Sequence, residues 1–163
     1  MRTFKFRGKC TDPKYDGKTA CGSLLSFPNG ETKIFEHDHD TTFNYFGVDP
    51  ATVCQFTGFL DKNGKEIYEG DVLRSDEYPY SCIGDKKRDN YYAVVYYCEE
   101  GACFGTVTVK NPSSDVGGIS DGILDDVERE KMKNFEVVGN IHDPEWRQYS
   151  EYFQEEDKEE SDD

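Results

Sequence analysis

One short segment of the sequence has the residue types of a metal site. His37-Asp38-His39-Asp40 alternates imidazole with carboxylate, and on a strand the His37 and His39 side chains would point to one face. Imidazole and carboxylate together suit zinc and other first-row transition metals. The segment is short and polar, so the alternative is a solvated loop, which is the usual outcome for so short a motif. We keep both histidines as candidate metal ligands.

A second candidate is a pair of cysteines. Cys98 and Cys103 flank the turn-like segment Glu99-Glu100-Gly101, so in a hairpin the two thiols would face each other. Such a pair could share a metal ion or form a reversible disulfide, or it could be two buried thiols in a strand pair. A four-ligand zinc site would need two more groups, and no second cysteine pair has suitable spacing. We expect free thiols and no metal cofactor, because nothing in the sequence indicates an oxidising compartment.

Signatures of catalysis are missing from the sequence. The three histidines, at positions 37, 39 and 142, occur in no recognised nucleophile context, and there is no Gly-x-Ser-x-Gly elbow. Gly117-Gly118 lacks the lysine and the strand-to-helix pattern of a phosphate-binding loop. Pairs of carboxylates carry little information in a chain with 34 acidic residues. We therefore expect a protein that is not an enzyme.

The segment Tyr91–Cys98 predicts a strand that is apolar on both faces. A half-exposed strand would alternate apolar with polar residues. Either this strand is covered on both sides within one chain, or one face meets another subunit. Tyrosine suits an interface because its ring is apolar while its hydroxyl tolerates water. The candidate interface residues are Tyr91, Tyr92, Tyr96 and Tyr97, and we expect a homo-oligomer.

The charge of the chain limits its partners. The net charge is −15, of which the stretch 155–163, with seven acids and one base, contributes −6. So negative a protein repels phosphate backbones and anionic membrane surfaces, and we expect neither direct nucleic-acid binding nor membrane binding. A basic protein is a compatible partner. Residues 154–163 predict an acidic disordered tail.

Turn signals divide the chain into short strands. Asn29-Gly30 and Asn63-Gly64 each separate two strand-like runs, and each predicts a hairpin with a positive φ at its turn. Tyr91–Cys98 and the run 102–109 predict a third hairpin. One short helix is predicted over 123–133 and another from Asp143-Pro144-Glu145 to about residue 153, near the C-terminus. The fold is therefore expected to be mainly β with one or two short helices.

The central block of the sequence resembles the signature of the YopX family. It extends over residues 53–73 and includes Asp61-Lys62-Asn63-Gly64-Lys65 and Glu69-Gly70-Asp71. Lys5-Phe6-Arg7 is similar to the opening strand of that family, and residues 135–145 are similar to its closing segment. The order and approximate spacing of the three pieces agree over most of residues 2–149.

The resemblance implies architecture and origin more than activity. It implies a phage, prophage or mobile-element protein of uncharacterised function, with a small antiparallel barrel-like core built from hairpins. It transfers no catalytic residue. With such an origin, a basic partner would be a host or phage protein. We expect one YopX-like domain over residues 1–153, either undivided or split into an N-terminal β subdomain, 1–50, and a barrel-like subdomain, 51–153.

Three functions remain open after these observations. The first is a non-catalytic, self-associating interaction module. The second is an acidic decoy that binds a basic, nucleic-acid-binding host protein, and the third is a metal-binding module or enzyme. The first residues, Met1-Arg2-Thr3-Phe4-Lys5 and onward, lack the apolar core of a signal peptide, so we expect a cytoplasmic protein.

Overall fold

The computed structural model describes residues 3–37, 43–76, 91–110, 119–124 and 133–153. Strands account for 55% of the described residues, whereas an ordinary globular domain has about 20–25%. The protein is therefore mainly β, as the sequence predicts. The chain divides into two compact units, Met1–Gly58 and Phe59–Asp163. The sequence-based division after residue 50 would fall inside a 3-10 turn of the first unit, Pro50–Thr52.

The first unit is built on an antiparallel sheet with the strand order β4-β3-β2-β1-β5. Its strands are β1 (Phe6–Lys9), β2 (Thr19–Ser26), β3 (Thr32–His37), β4 (Phe43–Gly47) and β5 (Cys54–Leu60), and β5 continues into the second unit. Two 3-10 turns, Pro13–Tyr15 and Pro50–Thr52, each follow an aspartate. In both turns the aspartate carboxylate accepts a hydrogen bond from the backbone N–H two residues later, which fixes the start of the turn.

One face of this sheet forms the core of the first unit. Its buried residues are Ala20, Ile34, Phe46 and Val48. The ring of Tyr15 meets the Phe46 ring edge-on, with centroids 5.1 Å apart, so the turn before β2 covers this core. Gly22 lies where β2 leaves β1 and joins β3. A Cβ there would overlap the carbonyl oxygen of Phe35, so this close approach of two backbones requires glycine.

The second unit contains a sheet with the strand order β10-β9-β8-β7-β11, and the short strand β6 pairs with β5. Its strands are β6 (Glu66–Tyr68), β7 (Asp71–Ser75), β8 (Tyr91–Cys98), β9 (Cys103–Lys110), β10 (Ile119–Ile123) and β11 (Glu136–Asn140). Both faces of this sheet are covered. Tyr91, Leu73 and Phe135 belong to a core on one face. On the other face, Val72, Val94 and Val109 lie under Trp146 and Tyr149.

The two Asn-Gly hairpins share one turn geometry. At the first, the Gly30 N–H donates to Phe27 O at 2.9 Å and the Phe27 N–H donates to Glu31 O at 2.8 Å. The second repeats both bonds between Asp61, Gly64 and Lys65. Gly30 and Gly64 have positive φ. Among the described non-glycine residues only Ala102 has a positive φ, so Asn29 and Asn63 do not. The predicted positive φ lies at the glycine of each turn, and both loops fit a three-residue hairpin that ends in a glycine bulge.

The barrel-like core implied by the family resemblance is also wrong. The described strands form two open sheets and no closed barrel. Closure requires that the two terminal strands of one sheet pair with each other. One sheet instead ends in β4 and β6, and the other ends in β10 and β11.

The described helices are 3-10 segments and not α-helices. The helix predicted after Pro144 is a 3-10 helix over Arg147–Phe153. The N–H of Trp146 donates to Asp143 O and the N–H of Tyr149 donates to Trp146 O, both at 3.0 Å. Because a 3-10 helix has three residues per turn, Trp146 and Tyr149 fall on one side and both pack on the sheet.

The segment before β11 contains a strand that its local sequence does not indicate. Residues 110–122 include Asn-Pro-Ser-Ser and Gly117-Gly118, which are typical of a flexible loop, yet Ile119–Ile123 is strand β10. It pairs with β9, and the register is irregular between Ser120 and Gly122. Pairing with the edge of β9 therefore outweighs the low strand propensity of this glycine-containing segment. Residues 125–132 of the predicted helix and residues 154–163 of the predicted tail lie outside the described residues.

Candidate interaction surface

The histidine cluster is only partly described by the structure. His37 is the last residue of β3, and its backbone pairs with Phe43 on β4. His39 and the two aspartates beside it lie outside the described residues, so a metal site in this segment stays a prediction. Within the described ranges, no group of three or more His, Cys, Asp or Glu side chains could hold a metal ion.

The cysteine pair is brought together by the predicted β8–β9 hairpin. Cys98 and Cys103 lie directly opposite each other at the end of that hairpin. Both are half-buried, and neither forms a disulfide. A Cβ placed on Gly101 would be 2.9 Å from Cys103 Sγ and 3.6 Å from Cys98 Sγ. The two sulfur atoms are therefore no farther apart than the sum of these distances, 6.5 Å.

The four candidate interface tyrosines differ in exposure. Tyr91 is 0% exposed, so its side chain cannot reach a partner in this fold and it is withdrawn from the candidates. Tyr92 is half-buried, and its ring centroid lies 5.9 Å from that of Trp146. Tyr96 is half-buried against Gly105, and Tyr97 is 38% exposed. Internal burial, one of the two alternatives that the sequence leaves open, therefore accounts for most of β8.

A more exposed surface lies on the first sheet. The face opposite the core carries Leu25 on β2, Lys33 and Phe35 on β3, and Tyr45 on β4, and we name these four residues the outer face. Leu25 pairs with Lys33, and Phe35 pairs with Tyr45. Cross-strand partners share one face of a sheet. Tyr45 is 63% exposed and Leu25 is 43% exposed, so the outer face presents apolar groups to solvent.

The outer face contains one cation, Lys33, beside its aromatic rings. The Lys33 ammonium lies 5.4 Å from the ring centroids of both Tyr45 and Phe27, a distance at which cation–π attraction operates. Glu31, in the turn before β3, forms an ion pair with Lys33 at 2.9 Å. The hydrogen bond from Lys33, together with its charge, lowers the pKa of the Glu31 carboxyl.

Basic residues continue along the same side of the first sheet. On β1, Arg7 and Lys9 point to the side opposite Gly8, which faces the core residues Ile34 and Val48. No acidic residue occupies a described outward position of β1–β4. Within a chain of net charge −15, this sheet face is therefore suited to an acidic surface.

The sequence model described as YopX protein matches residues 5–145. The chain belongs to the YopX family. Among curated proteins, none is detectably similar in sequence to this YopX chain. The crystal structure of protein EF1440 from Enterococcus faecalis is similar to it with a TM-score of 0.44 and 22% sequence identity. That similarity covers 87% of this chain and 95% of EF1440. No described helix is both long and apolar enough to span a bilayer.

The YopX signature block contains a carboxylate that holds backbone groups together. Asp61 is 6% exposed and accepts three backbone hydrogen bonds, from the N–H groups of Asn63 at 2.7 Å, Lys65 at 2.8 Å and Val137 at 3.1 Å. Burial alone would raise the pKa of Asp61, but these hydrogen bonds outweigh it and the pKa is lowered. The carboxylate therefore fixes the turn after β5 and joins it to β11.

A second signature carboxylate, Asp71, is 0% exposed. It accepts the backbone N–H of Tyr68 at 2.8 Å and the side-chain amide of Asn140 at 3.3 Å. That amide also donates to the carbonyl of Glu69 at 3.3 Å. This network ties the turn between β6 and β7 to β11. Two carboxylates of the signature block, Asp61 and Asp71, therefore have structural partners.

The outer face is not predicted by the local sequence. The Asn29-Gly30 turn is the one sequence feature that indicates part of it. This turn fixes the hairpin register, and the register pairs Leu25 with Lys33. The contribution of Tyr45 had no such signal, since the stretch around it fits a loop as well as a strand. Exposure of these residues depends on which sheet face the rest of the unit covers, and local sequence does not contain that information.

Proposed function

We propose that this YopX chain is a non-catalytic interaction module that associates with further copies of itself through the outer face. The observation that supports this proposal is the exposure of Tyr45 and Leu25 on one sheet face, beside Lys33 and Phe35. Clustered exposed apolar side chains with a polar rim are typical of protein–protein contact sites. The absence of a transferable catalytic residue in the signature block agrees with a binding role.

Charge complementarity favours another copy of the chain as the occupant. The first unit contains seven basic and seven acidic residues and is neutral. The second unit contains the remaining 12 of 19 basic and 27 of 34 acidic residues, so it carries the whole net charge of −15. The outer face of one copy, with Lys33 and the neighbouring bases of β1, complements the acidic second unit of another copy.

Pairing of two outer faces is less favourable than this arrangement. Two copies meeting face to face would bring Lys33, Arg7 and Lys9 of one chain against the same residues of the other, and like charges across an interface are repulsive. A contact between unlike surfaces is heterologous, and such contacts build rings or open chains of subunits. A stable interface buries about 800 Å² per partner, so the outer face would be its centre and not its full extent.

The proposal is tested by measuring molar mass in solution with paired variants. Tyr45→Ser and Leu25→Ser remove apolar groups from the outer face, and Leu60→Ser removes an apolar residue that is 51% exposed elsewhere. Light scattering on a concentration series should show association of the wild type and of Leu60→Ser, and weaker association of the two outer-face variants. A monomeric wild type at all concentrations, or equal association of all four proteins, would refute the proposal.

Salt dependence separates the two modes of association. If the outer face binds an acidic surface, raising the salt concentration should weaken association because screening reduces the attraction. Lys33→Gln should weaken it as well and should reduce its salt dependence. Association that strengthens with salt would indicate face-to-face pairing of apolar groups and would contradict the heterologous arrangement.

A second candidate function is an acidic decoy for a basic, nucleic-acid-binding protein. The observation that favours it is the confinement of the net charge to the second unit, since concentrated charge raises the local potential. The test is competition between this chain and DNA for a purified basic DNA-binding protein. In one set of variants, Glu99, Glu100 and Glu145 of the second unit are changed to glutamine; in another, acids of the first unit are changed. If the first set still displaces DNA from the basic protein and the second set does not, this candidate is contradicted.

A further inference from the structure

The end of the β8–β9 hairpin holds two thiols that the proposed interaction function does not use. Cys98 and Cys103 are directly opposed in the strand register, and both sulfur atoms lie close to the Gly101 position, which places them within 6.5 Å of each other. Both residues are half-buried and therefore partly open to solvent. Their spacing is fixed by the hairpin, so the pair is prearranged for a ligand that takes two sulfur atoms.

We propose that Cys98 and Cys103 form a two-thiolate chelating site for a soft monovalent metal cation such as Cu(I). Thiolate is a soft ligand and selects soft ions. Zinc would need two further ligands to complete its usual four, and within the described residues no third His, Cys, Asp or Glu joins this pair. Monovalent copper and silver bind two thiolates without further ligands.

The geometry of the pair fits this chemistry. A metal–sulfur bond of about 2.3 Å, the length known for thiolate on zinc, places two sulfur atoms that share one ion at most about 4.6 Å apart. That separation lies within the 6.5 Å limit set by the positions of the two sulfurs around Gly101. The positions of the two sulfur atoms are therefore compatible with one ion bound between them.

The binding step is balanced by proton release. Two thiols lose two protons and bind one monovalent cation, which gives a complex with one net negative charge and leaves the oxidation state of the metal unchanged. The hairpin supplies both ligands from positions five residues apart, so binding of the first sulfur raises the effective concentration of the second. We therefore expect the pair to bind at least about 100-fold more tightly than a single thiol.

The test is an anaerobic titration of the full chain with Cu(I) against a coloured Cu(I) chelator. The wild type should take up one equivalent tightly. Cys98→Ser and Cys103→Ser should each lose this tight equivalent, with an affinity lower by at least about 100-fold. The control is Cys10→Ser, which changes a half-buried free thiol of the first unit and should bind like the wild type.

Several results would overturn the proposal. These are no tight uptake by the wild type, tight uptake that persists in either hairpin variant, or loss of tight uptake in the Cys10 control. Circular dichroism of each variant shows whether it is folded. If a hairpin variant does not fold, the wild type is treated with phenylarsine oxide, which bridges two nearby thiols. Peptide mapping should then place the bridge between Cys98 and Cys103, and a bridge at other cysteines would refute the site.

Discussion

Removal of the Asp61 carboxylate should destabilise the second unit by roughly 2–6 kcal/mol. The carboxylate accepts three backbone hydrogen bonds, at 2.7, 2.8 and 3.1 Å, at a position that is 6% exposed. In Asp61→Ala the buried N–H of Val137 loses its partner, which costs about 1–3 kcal/mol, and loss of the two part-buried bonds from Asn63 and Lys65 costs about 0.5–1.5 kcal/mol each. This loss is a large part of the roughly 5–15 kcal/mol that stabilises an ordinary domain.

The assay is guanidinium denaturation followed by the fluorescence of Trp146, the single tryptophan, which lies in the same unit. The control is Asp76→Ala, because the Asp76 side chain is 79% exposed and its contact with Arg74 is long, at 3.8 Å. Exposed ion pairs contribute about 0–1 kcal/mol. If Asp61→Ala is within about 1 kcal/mol of Asp76→Ala, the carboxylate does not organise this unit and our reasoning on the signature block is refuted.

The same residue predicts a dependence of stability on pH. The folded-state pKa of Asp61 is lowered, so the charged form is favoured in the native protein. Its contribution to stability is complete above the pKa of an unfolded aspartate, about 3.9, and is lost as the pH falls through the lower folded pKa. The difference in unfolding free energy between wild type and Asp61→Ala should be constant near neutral pH and should shrink in acid.

The remaining predictions concern packing and polar contacts in both units. Asn140→Ala removes two hydrogen bonds donated by its side-chain amide at 3.3 Å, and the loss of unfolding free energy should be roughly 1–3 kcal/mol in a denaturation experiment. Gly22→Ala places a Cβ against a backbone carbonyl, so thermal unfolding should show a loss of roughly 3 kcal/mol or more. Gly17→Ala, at a positive φ with open space around it, should cost about 1 kcal/mol. Gly139→Ala would overlap the indole of Trp146 and should shift its fluorescence to the red by displacing the ring into solvent.

The hairpins could be predicted from the sequence because their determinants are local. Asn29-Gly30 and Asn63-Gly64 supply the residues that a tight turn needs, and the apolar run Tyr91–Cys98 predicts a strand. These features act over a few residues. The opposition of Cys98 and Cys103 follows from the turn between them, whereas the pairing of β1 with β5 and of β7 with β11 does not follow from any turn.

The features that could not be predicted depend on contacts between distant parts of the chain. The bond from the Val137 N–H to Asp61 joins residues 76 positions apart, and no local pattern indicates it. Strand β10 forms at the edge of β9 in a segment with poor strand propensity. The expected barrel failed for the same reason, because closure depends on which strands end each sheet and not on the sequence of any one strand.

The exposure of the outer face depends on long-range structure in the same way. Leu25 and Ile34 are both apolar residues of neighbouring strands, yet Leu25 is 43% exposed and Ile34 is 0% exposed. Only the three-dimensional structure shows that Tyr15 and the β1 strand cover the face of Ile34. A sequence pattern identifies the two faces of a strand, but the assignment of one face to solvent requires the whole unit.

Hydrogen exchange measured at low and at high protein concentration tests the self-association through the outer face most directly. Amide exchange in a strand slows when a partner covers it and suppresses local opening. We expect exchange in β2, β3 and β4 to slow as the concentration rises, and this slowing to be absent in Tyr45→Ser. Exchange in these three strands that does not change with concentration, or slowing confined to β8 and β9, would contradict the assignment of the outer face as the contact surface.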